Sequence, residues 1–511
     1  MFSWFCSRAW SEARDFMTNA GLTAFGEERI GLRRETAGWL ALAAALVFLV
    51  LLFGVQQAGL PQAILLVVPA ALAALLIFAA WPTAALVVWT LGCGLVPLPL
   101  LGREVFLYDL FSFVLAGLWV LKVFSTGRMR FQGADWPVLI VAAAALLSVL
   151  VNLGRMSTVA ERMMHEFHIR LEFLGKTNLS AGLLWSSYLL AYFFASRLAD
   201  TQRKIRWTLA AVLLMALGNA VYALIRWILN PMGFSRQNRT DAFFQEAQDQ
   251  GYLSALLLTG ILVALALHVV KGWRRWAVFG AGGVILLNLV CNFTRAVYVE
   301  FALAATLLFG VLRSRQLILL AILAAILIAG VLMISNVDEQ YLVMFTDIGS
   351  KKAQGLSLRV ESWSDAIRIF REDGGFWGVG LGNYMVYSKV RVTMPSLRRV
   401  RLASAHGMYL QVLAEQGILG VAAWAIFFIS LLAYFIRKLR GAGTPAQRGM
   451  NLWAVLILVM YLWDGVFYMV LLPPGHSHET LTAGYYVWVV LGLVEAQNRL
   501  AVSPRREPAE G

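Results

Sequence analysis

Apolar residues in this 511-residue chain gather into runs of about 20, and a helix of that length crosses a ~30 Å hydrocarbon layer. The runs fall at roughly 37–55, 60–80, 83–101, 104–124, 135–154, 178–197, 205–229, 248–270, 275–292, 295–312, 316–334, 405–436, 449–472 and 480–497. Inside lipid every backbone N–H and C=O must pair within its own segment, so such runs are helices. Spanning strands would alternate polar and apolar residues, and these runs do not. Composition agrees. The chain is 60% hydrophobic and 14% charged, where soluble domains run at roughly 45–50% and about 25%. The expected fold is all-α and polytopic, with about 14 transmembrane helices. Pro82, Pro97 and Pro99 interrupt the second to fourth runs, which are the least regular.

Loop charge orients the spans. Cytoplasmic loops collect Lys and Arg, and with a cytoplasmic N-terminus the even-numbered ends should be basic. They carry Lys122, Arg128 and Arg130, then Arg197, Arg203, Lys204 and Arg206, then Lys271, Arg274 and Arg275, with Arg313 and Arg315 following. Arg437, Lys438, Arg440 and Arg448 close the next even end, and Arg499, Arg505 and Arg506 the last. Both termini are therefore expected in the cytoplasm. The expected organisation is a cytoplasmic segment over 1–36, helices over 37–334, an outer loop over 335–404, helices over 405–497 and a tail over 498–511. Two smaller outer loops lie at about 155–177 and 230–247. The longest outer loop starts acidic and becomes amphipathic. Trp363, Ile367 and Phe370 recur there at helical spacing, which predicts a short helix lying on the membrane.

The net charge of +14 reads first as this loop pattern, with part of the excess in segments placed outside, so nucleic acid is not an expected partner. The three cysteines, Cys6, Cys93 and Cys291, are scattered and odd in number, which argues against a disulfide framework. No cleavable signal peptide is read at the N-terminus. No phosphate-binding Walker loop, His-Glu-x-x-His zinc helix or DxD triad occurs. His476-Ser477-His478-Glu479 and His165-Glu166-Phe167-His168 have metal-binding residue types, but zinc wants further ligands at fixed spacing. Neither metal nor cofactor is expected. Gly378, Gly380 and Gly382 form a GxGxG run without the preceding strand and following helix of a nucleotide site. Its simpler reading is a turn that lets backbone approach a helix or a headgroup. Arg391, Arg398, Arg399 and Arg401 are a basic run suited to anionic headgroups or to a phosphorylated acceptor.

His406 stands where the long outer loop becomes a span, with Ser404 placed to cap the helix. Taken alone, it reads first as an interfacial histidine satisfying a hydrogen bond, and second as a base titrating near neutrality. Arg295 and Arg359 fall on the same outer face by this topology. Boundary arginines often only snorkel, yet a guanidinium fork suits phosphate oxygens well.

The flanks carry a resemblance. Ala405-His406-Gly407-Met408-Tyr409-Leu410, then Leu413, Glu415, Gly417 and Gly420, resembles the C-terminal signature of the O-antigen ligase and polymerase superfamily. That pattern usually reads Ala-His-Asn-x-Tyr-Leu, then Leu-x-Glu-x-Gly and a further Gly, so Gly407 departs from it. Leu358-Arg359, Trp363, Ala366 and the glycine run resemble the family's loop, and Phe293-Thr294-Arg295 its Ser/Thr-Arg motif. Arg239-Thr240-Asp241 with Gly251-Tyr252-Leu253 is similar to a weaker element. The resemblance spans roughly 230–495. It implies a GT-C-like glycosyltransferase of the bacterial inner membrane, acting at the periplasmic face on a glycan carried by undecaprenyl diphosphate. It implies His406 as general base in an inverting, metal-independent transfer. Arg295 and Arg359 would hold the diphosphate, with Arg239 and Tyr409 as further pocket residues. The acceptor stays open between lipid A–core, a second lipid-linked repeat unit, and a protein hydroxyl. Ligation to lipid A–core ranks first. A transporter is the reading from a different class. It would place charge near span midplanes and show related halves.

Overall fold

The computed structural model describes residues 82–95, 99–101, 105–106, 131–155, 177–229, 247–292, 294–312, 354–393, 399–401, 404–467 and 483–502. The expected runs at 37–55, 60–80 and 316–334 lie outside that set, as does the run at 104–124 apart from Val105–Phe106, and so do Arg239 and the histidines at 165, 168, 476 and 478. Two compact units divide the chain, one from Met1–Trp89 with Pro99–Arg128, the other from Thr90–Leu98 with Met129–Gly511. Helix α1 (Pro82–Leu95) runs across that boundary. In the first unit β1 (Pro99–Leu101) and β2 (Val105–Phe106) form a short antiparallel hairpin. The run expected as a span over 83–101 thus ends in a strand. Pro97 and Pro99 have no N–H to donate to a helix, so it cannot continue through them.

Among its described residues the second unit is helical apart from one hairpin. Its helices are α2 (Asp135–Val151), α3 (Thr177–Leu198), α4 (Gln202–Leu229), α5 (Ala247–Ala266), α6 (Trp273–Val290) and α7 (Arg295–Leu312). Then come α8 (Gln354–Ile369), the one-turn α9 (Tyr384–Tyr387), β3 (Arg391–Thr393) paired with β4 (Arg399–Arg401), α10 (Met408–Arg440), α11 (Pro445–Phe467) and α12 (Ala483–Val502). Three described helices, α4, α10 and most of α11, are long and apolar enough to cross a membrane. The predicted amphipathic helix is α8. It ends in a π turn in which the Gly375 N–H reaches the Phe370 carbonyl at 2.7 Å.

Helices α2 and α10 run antiparallel. Gly133 abuts the Tyr434 ring near one end, and Ser148 Oγ donates to the Glu415 carbonyl at 2.9 Å near the other. Helices in lipid gain little from hydrophobicity and associate through close packing and polar contacts. Gly492 accordingly lets α12 approach the α3 backbone at Tyr192, and Gly260 admits the Trp453 ring, whose Nε1 donates to Leu256 O at 3.0 Å. Trp185, Trp424, Phe427, Phe428 and Trp488 pack ring to ring where α3, α10 and α12 meet.

Asp135 ties three helices together at the end remote from His406. Its fully buried carboxylate accepts from Arg499 Nη2 at 2.6 Å, Arg197 Nη2 at 2.6 Å, Tyr192 OH at 3.1 Å and the Gln132 N–H at 2.7 Å. Arg197 and Arg499 are two of the residues by which loop charge oriented the spans. The structure puts both at one end of the bundle, on the same buried carboxylate. Removing the shared anion leaves two guanidiniums facing each other. Asp135→Ala is expected to cost about 3–5 kcal/mol, read as a lower melting temperature in detergent.

Candidate functional site

The sequence of the His406 turn explains its geometry. Helix α10 starts at Met408 with Gly407 as its N-cap and no side-chain cap bond, so Ser404 does not cap it as expected. Gln411 instead reaches back from inside the helix to the segment before it. Its Oε1 accepts the Ala405 N–H at 2.8 Å, and its Nε2 donates to Glu415 Oε1 at 2.6 Å. Glu415 Oε1 also accepts the Tyr384 N–H at 3.1 Å. A buried polar ladder therefore connects the turn to the glycine-rich loop.

That loop grips α10 by backbone. The N–H groups of Val379 and Gly380 donate to the carbonyls of Ala414 and Glu415, both at 2.9 Å. Those carbonyls are available because α10 breaks at Gly417, whose φ of 66° and ψ of −159° lie outside the helical region. A Cβ on Gly378 would collide with the Glu415 carbonyl, and one on Gly417 with the Phe376 carbonyl. The GxGxG run is thus a device for close backbone approach to a helix.

His406 itself has φ of 50°, shared only with His268 among described non-glycine residues. A left-handed non-glycine residue costs roughly 1–2 kcal/mol, and it persists because its surroundings hold it. Ala405 before it is fixed by Gln411, and its own carbonyl accepts Trp363 Nε1 at 3.5 Å. Among the described residues the imidazole makes no hydrogen bond. Gly407 follows in extended backbone, where a Cβ would sit 2.8 Å from the Val466 carbonyl and 3.3 Å from Trp363 Nε1. There is no room for the asparagine usual in the resembled pattern while α11 and Trp363 keep these positions.

Helix α8 supplies the cation. Arg359 and Trp363 are four residues apart and share a face, and both address the His406 turn. The helix is fixed by Ala366 and Ile369, which pack with Val379, Tyr384, Val386, Tyr387, Ala405 and Ala414. Arg368, paired with Asp365 Oδ1 at 2.8 Å on the same helix, adds a bond to Tyr387 O at 2.7 Å. Among the described residues the Arg359 guanidinium has no hydrogen-bond or ion-pair partner. Burial pushes the His406 pKa below its ordinary value, and the Arg359 charge beside it pushes the same way. His406 is therefore neutral, and able to accept a proton, at neutral pH and somewhat below.

The other expected residues are placed unevenly. Arg295 is the first residue of α7, and its side chain lies outside the described set. Tyr409 donates its hydroxyl to the Leu462 carbonyl at 2.7 Å, joining α10 to α11. Two carboxylates escaped the sequence reading, Glu300 on α7 and Asp464 on α11. Both are buried; they are electrostatic neighbours, and Asp464 also neighbours Tyr409. An acid within an apolar run was the available signal. The contact brings the early turns of α7 beside the end of α11 that abuts Gly407.

Residues 280–425 match a family model described as O-antigen ligase. This segment belongs to the O-antigen ligase family. It includes α7, α8, the glycine-rich loop, the His406 turn and the first half of α10. Arg239 and Asp464 fall outside it. No curated protein matches the chain. O-antigen ligase family members are glycosyltransferase-like enzymes of polysaccharide biosynthesis, and the match over this segment supports that superfamily, while the long apolar helices point to a membrane protein.

Replacing Arg359 by alanine removes a cation whose charge acts on His406. Transfer is expected to fall about 10²–10³-fold, the scale of losing one preorganised charge stabiliser. Initial rates on a lipid-linked glycan donor would show it.

Proposed function

We propose that this protein transfers a glycan from undecaprenyl diphosphate to an acceptor hydroxyl at the outer face of the bacterial inner membrane. The preferred acceptor is lipid A–core. The observation that carries this reading is the neutral, partly buried His406 held beside Arg359 inside the family segment. His406 Nδ1 or Nε2 takes the proton of the acceptor hydroxyl as its oxygen attacks the anomeric carbon. The bond from that carbon to the diphosphate oxygen breaks, and configuration inverts. The leaving lipid diphosphate gains negative charge, which Arg359 and Arg295 stabilise. Arg239 and Tyr409 complete the pocket. The chemistry draws its driving force from the diphosphate linkage, so no metal or nucleotide is required. The full fold is a GT-C-like bundle of about 14 spans, with both termini cytoplasmic.

The test is transfer by the purified protein in liposomes, from one lipid-linked glycan donor offered three acceptors. Lipid A–core extended by the glycan is the expected product. Chains of repeat units alone would make the enzyme a polymerase. Glycan on a Ser or Thr side chain would make it a protein glycosyltransferase. No transfer to any of the three would overturn the reading.

A further inference from the structure

The kink at Gly417 divides α10 into two parts of different character. Residues 418–436 contain no charged side chain, and Arg437, Lys438 and Arg440 close the helix. Counting back about 20 residues from Arg437, the length that crosses the hydrocarbon, ends at Gly417. Residues 408–416, by contrast, carry buried Gln411, Glu415 and Gln416.

The neighbouring helix gives the same division. Helices α10 and α11 pack against each other and are joined by a tight turn. The 33 residues of α10 would be ~50 Å long if straight, and the 22 residues Pro445–Val466 of α11 are ~33 Å. Yet both arrive at one level, since Gly407 abuts the Val466 carbonyl and Tyr409 bonds Leu462. The part of α10 after the kink is by itself ~34 Å long. The first part must therefore run across the bundle end rather than farther along it.

Phe376 and Trp377 sit at that kink. The Phe376 carbonyl lies against Gly417, and the two rings pack edge to face at 4.9 Å and 87°. They are 51% and 40% exposed, and Ile418 beside them is 50% exposed. Ile426 and Ile429 continue the exposed apolar strip down α10. Aromatic side chains at the level where an apolar helix meets its polar flank favour the bilayer interface.

We propose that the Phe376–Trp377 turn is seated in the bilayer on the face that carries His406, and that residues 408–416 lie along that surface. Its partner is the lipid surface itself. The reactive turn is thereby held at headgroup height, where a lipid-linked diphosphate lies. The inference rests on α10 crossing the membrane and not on the transfer chemistry, so it can fail or hold independently of the proposed activity.

Spin labels test it in full-length protein reconstituted in liposomes, with Cys6, Cys93 and Cys291 replaced by alanine. Labels go on Trp377→Cys, Phe376→Cys, Ile418→Cys and, as an aqueous reference on α8, Glu361→Cys. The expected result is that labels at 376 and 377 resemble that at 418. Each should show at least about fivefold lower collision with a water-soluble nickel chelate than the label at 361, with higher collision with oxygen. If Trp377→Cys does not fold, Phe376→Cys carries the same comparison. Nickel accessibility at 376 or 377 equal to that at 361 overturns the proposal.

Discussion

His406→Ala is expected to lower glycan transfer by about 10²–10⁴-fold, the range that positioned acid–base groups contribute, while the protein remains folded. The fold should survive because the turn is held by backbone and by neighbours, not by the imidazole. Gln411 fixes Ala405, the Trp363 indole reaches the main-chain carbonyl of residue 406, and Gly407 fits against Val466. Alanine can take the left-handed conformation at a cost of roughly 1–2 kcal/mol, which His406 already bears. A variant with wild-type melting behaviour and nearly absent transfer separates the chemistry from the architecture. Wild-type transfer in a folded His406→Ala protein would remove the histidine from the mechanism.

Gly417→Ala should have the largest effect on stability among single methyl additions. The φ of 66° and ψ of −159° belong to a region essentially reserved for glycine. The added Cβ would also collide with the carbonyl of Phe376 and the N–H of Gly378. Both neighbours are backbone, so neither can rotate away. The loss is expected to be about 3 kcal/mol or more, measured as a lower melting temperature and poor recovery from membranes. Gly218→Ala is the matched control, because a Cβ there meets nothing within 4 Å. In the interior of α4 it should be neutral or slightly stabilising. Any Gly417→Ala protein that folds should also transfer poorly, since residues 408–416 and the His406 turn hang from that kink.

Much of this could be read from residue order. Hydrocarbon thickness dictates run length, so α2 to α7 and α10 to α12 stand close to the predicted runs. Helical spacing of Trp363, Ile367 and Phe370 located α8. Glycines at alternate positions implied a turn that brings backbone close to a helix or a headgroup, and the structure shows the helix. The helix kink was not legible, because Gly417 sits in an apolar run and its φ depends on the loop that packs against it. Nor was the role of Gln411, since nothing local distinguishes a side chain that reaches back to Ala405 from one facing solvent. The Asp135 clamp joins residues 62 and 364 positions apart, a pairing that only folding reveals. Arg359 could be named from pattern alone, but its place beside His406 depends on how α8 packs on α10.

The account turns on a neutral His406 acting as base with Arg359 next to it. The most direct measurement is kcat/KM for glycan transfer against pH, in the wild type and in Arg359→Gln side by side. Burial and the Arg359 charge both depress the histidine, so the wild-type acid limb should lie below the ordinary histidine range. A base works only when unprotonated, so activity falls as pH drops through that limb. Taking away the guanidinium charge removes one of the two depressing influences and leaves burial. The limb should move to higher pH in Arg359→Gln, in addition to any fall in the plateau. A limb at the same pH in both proteins would contradict the pairing of Arg359 with His406.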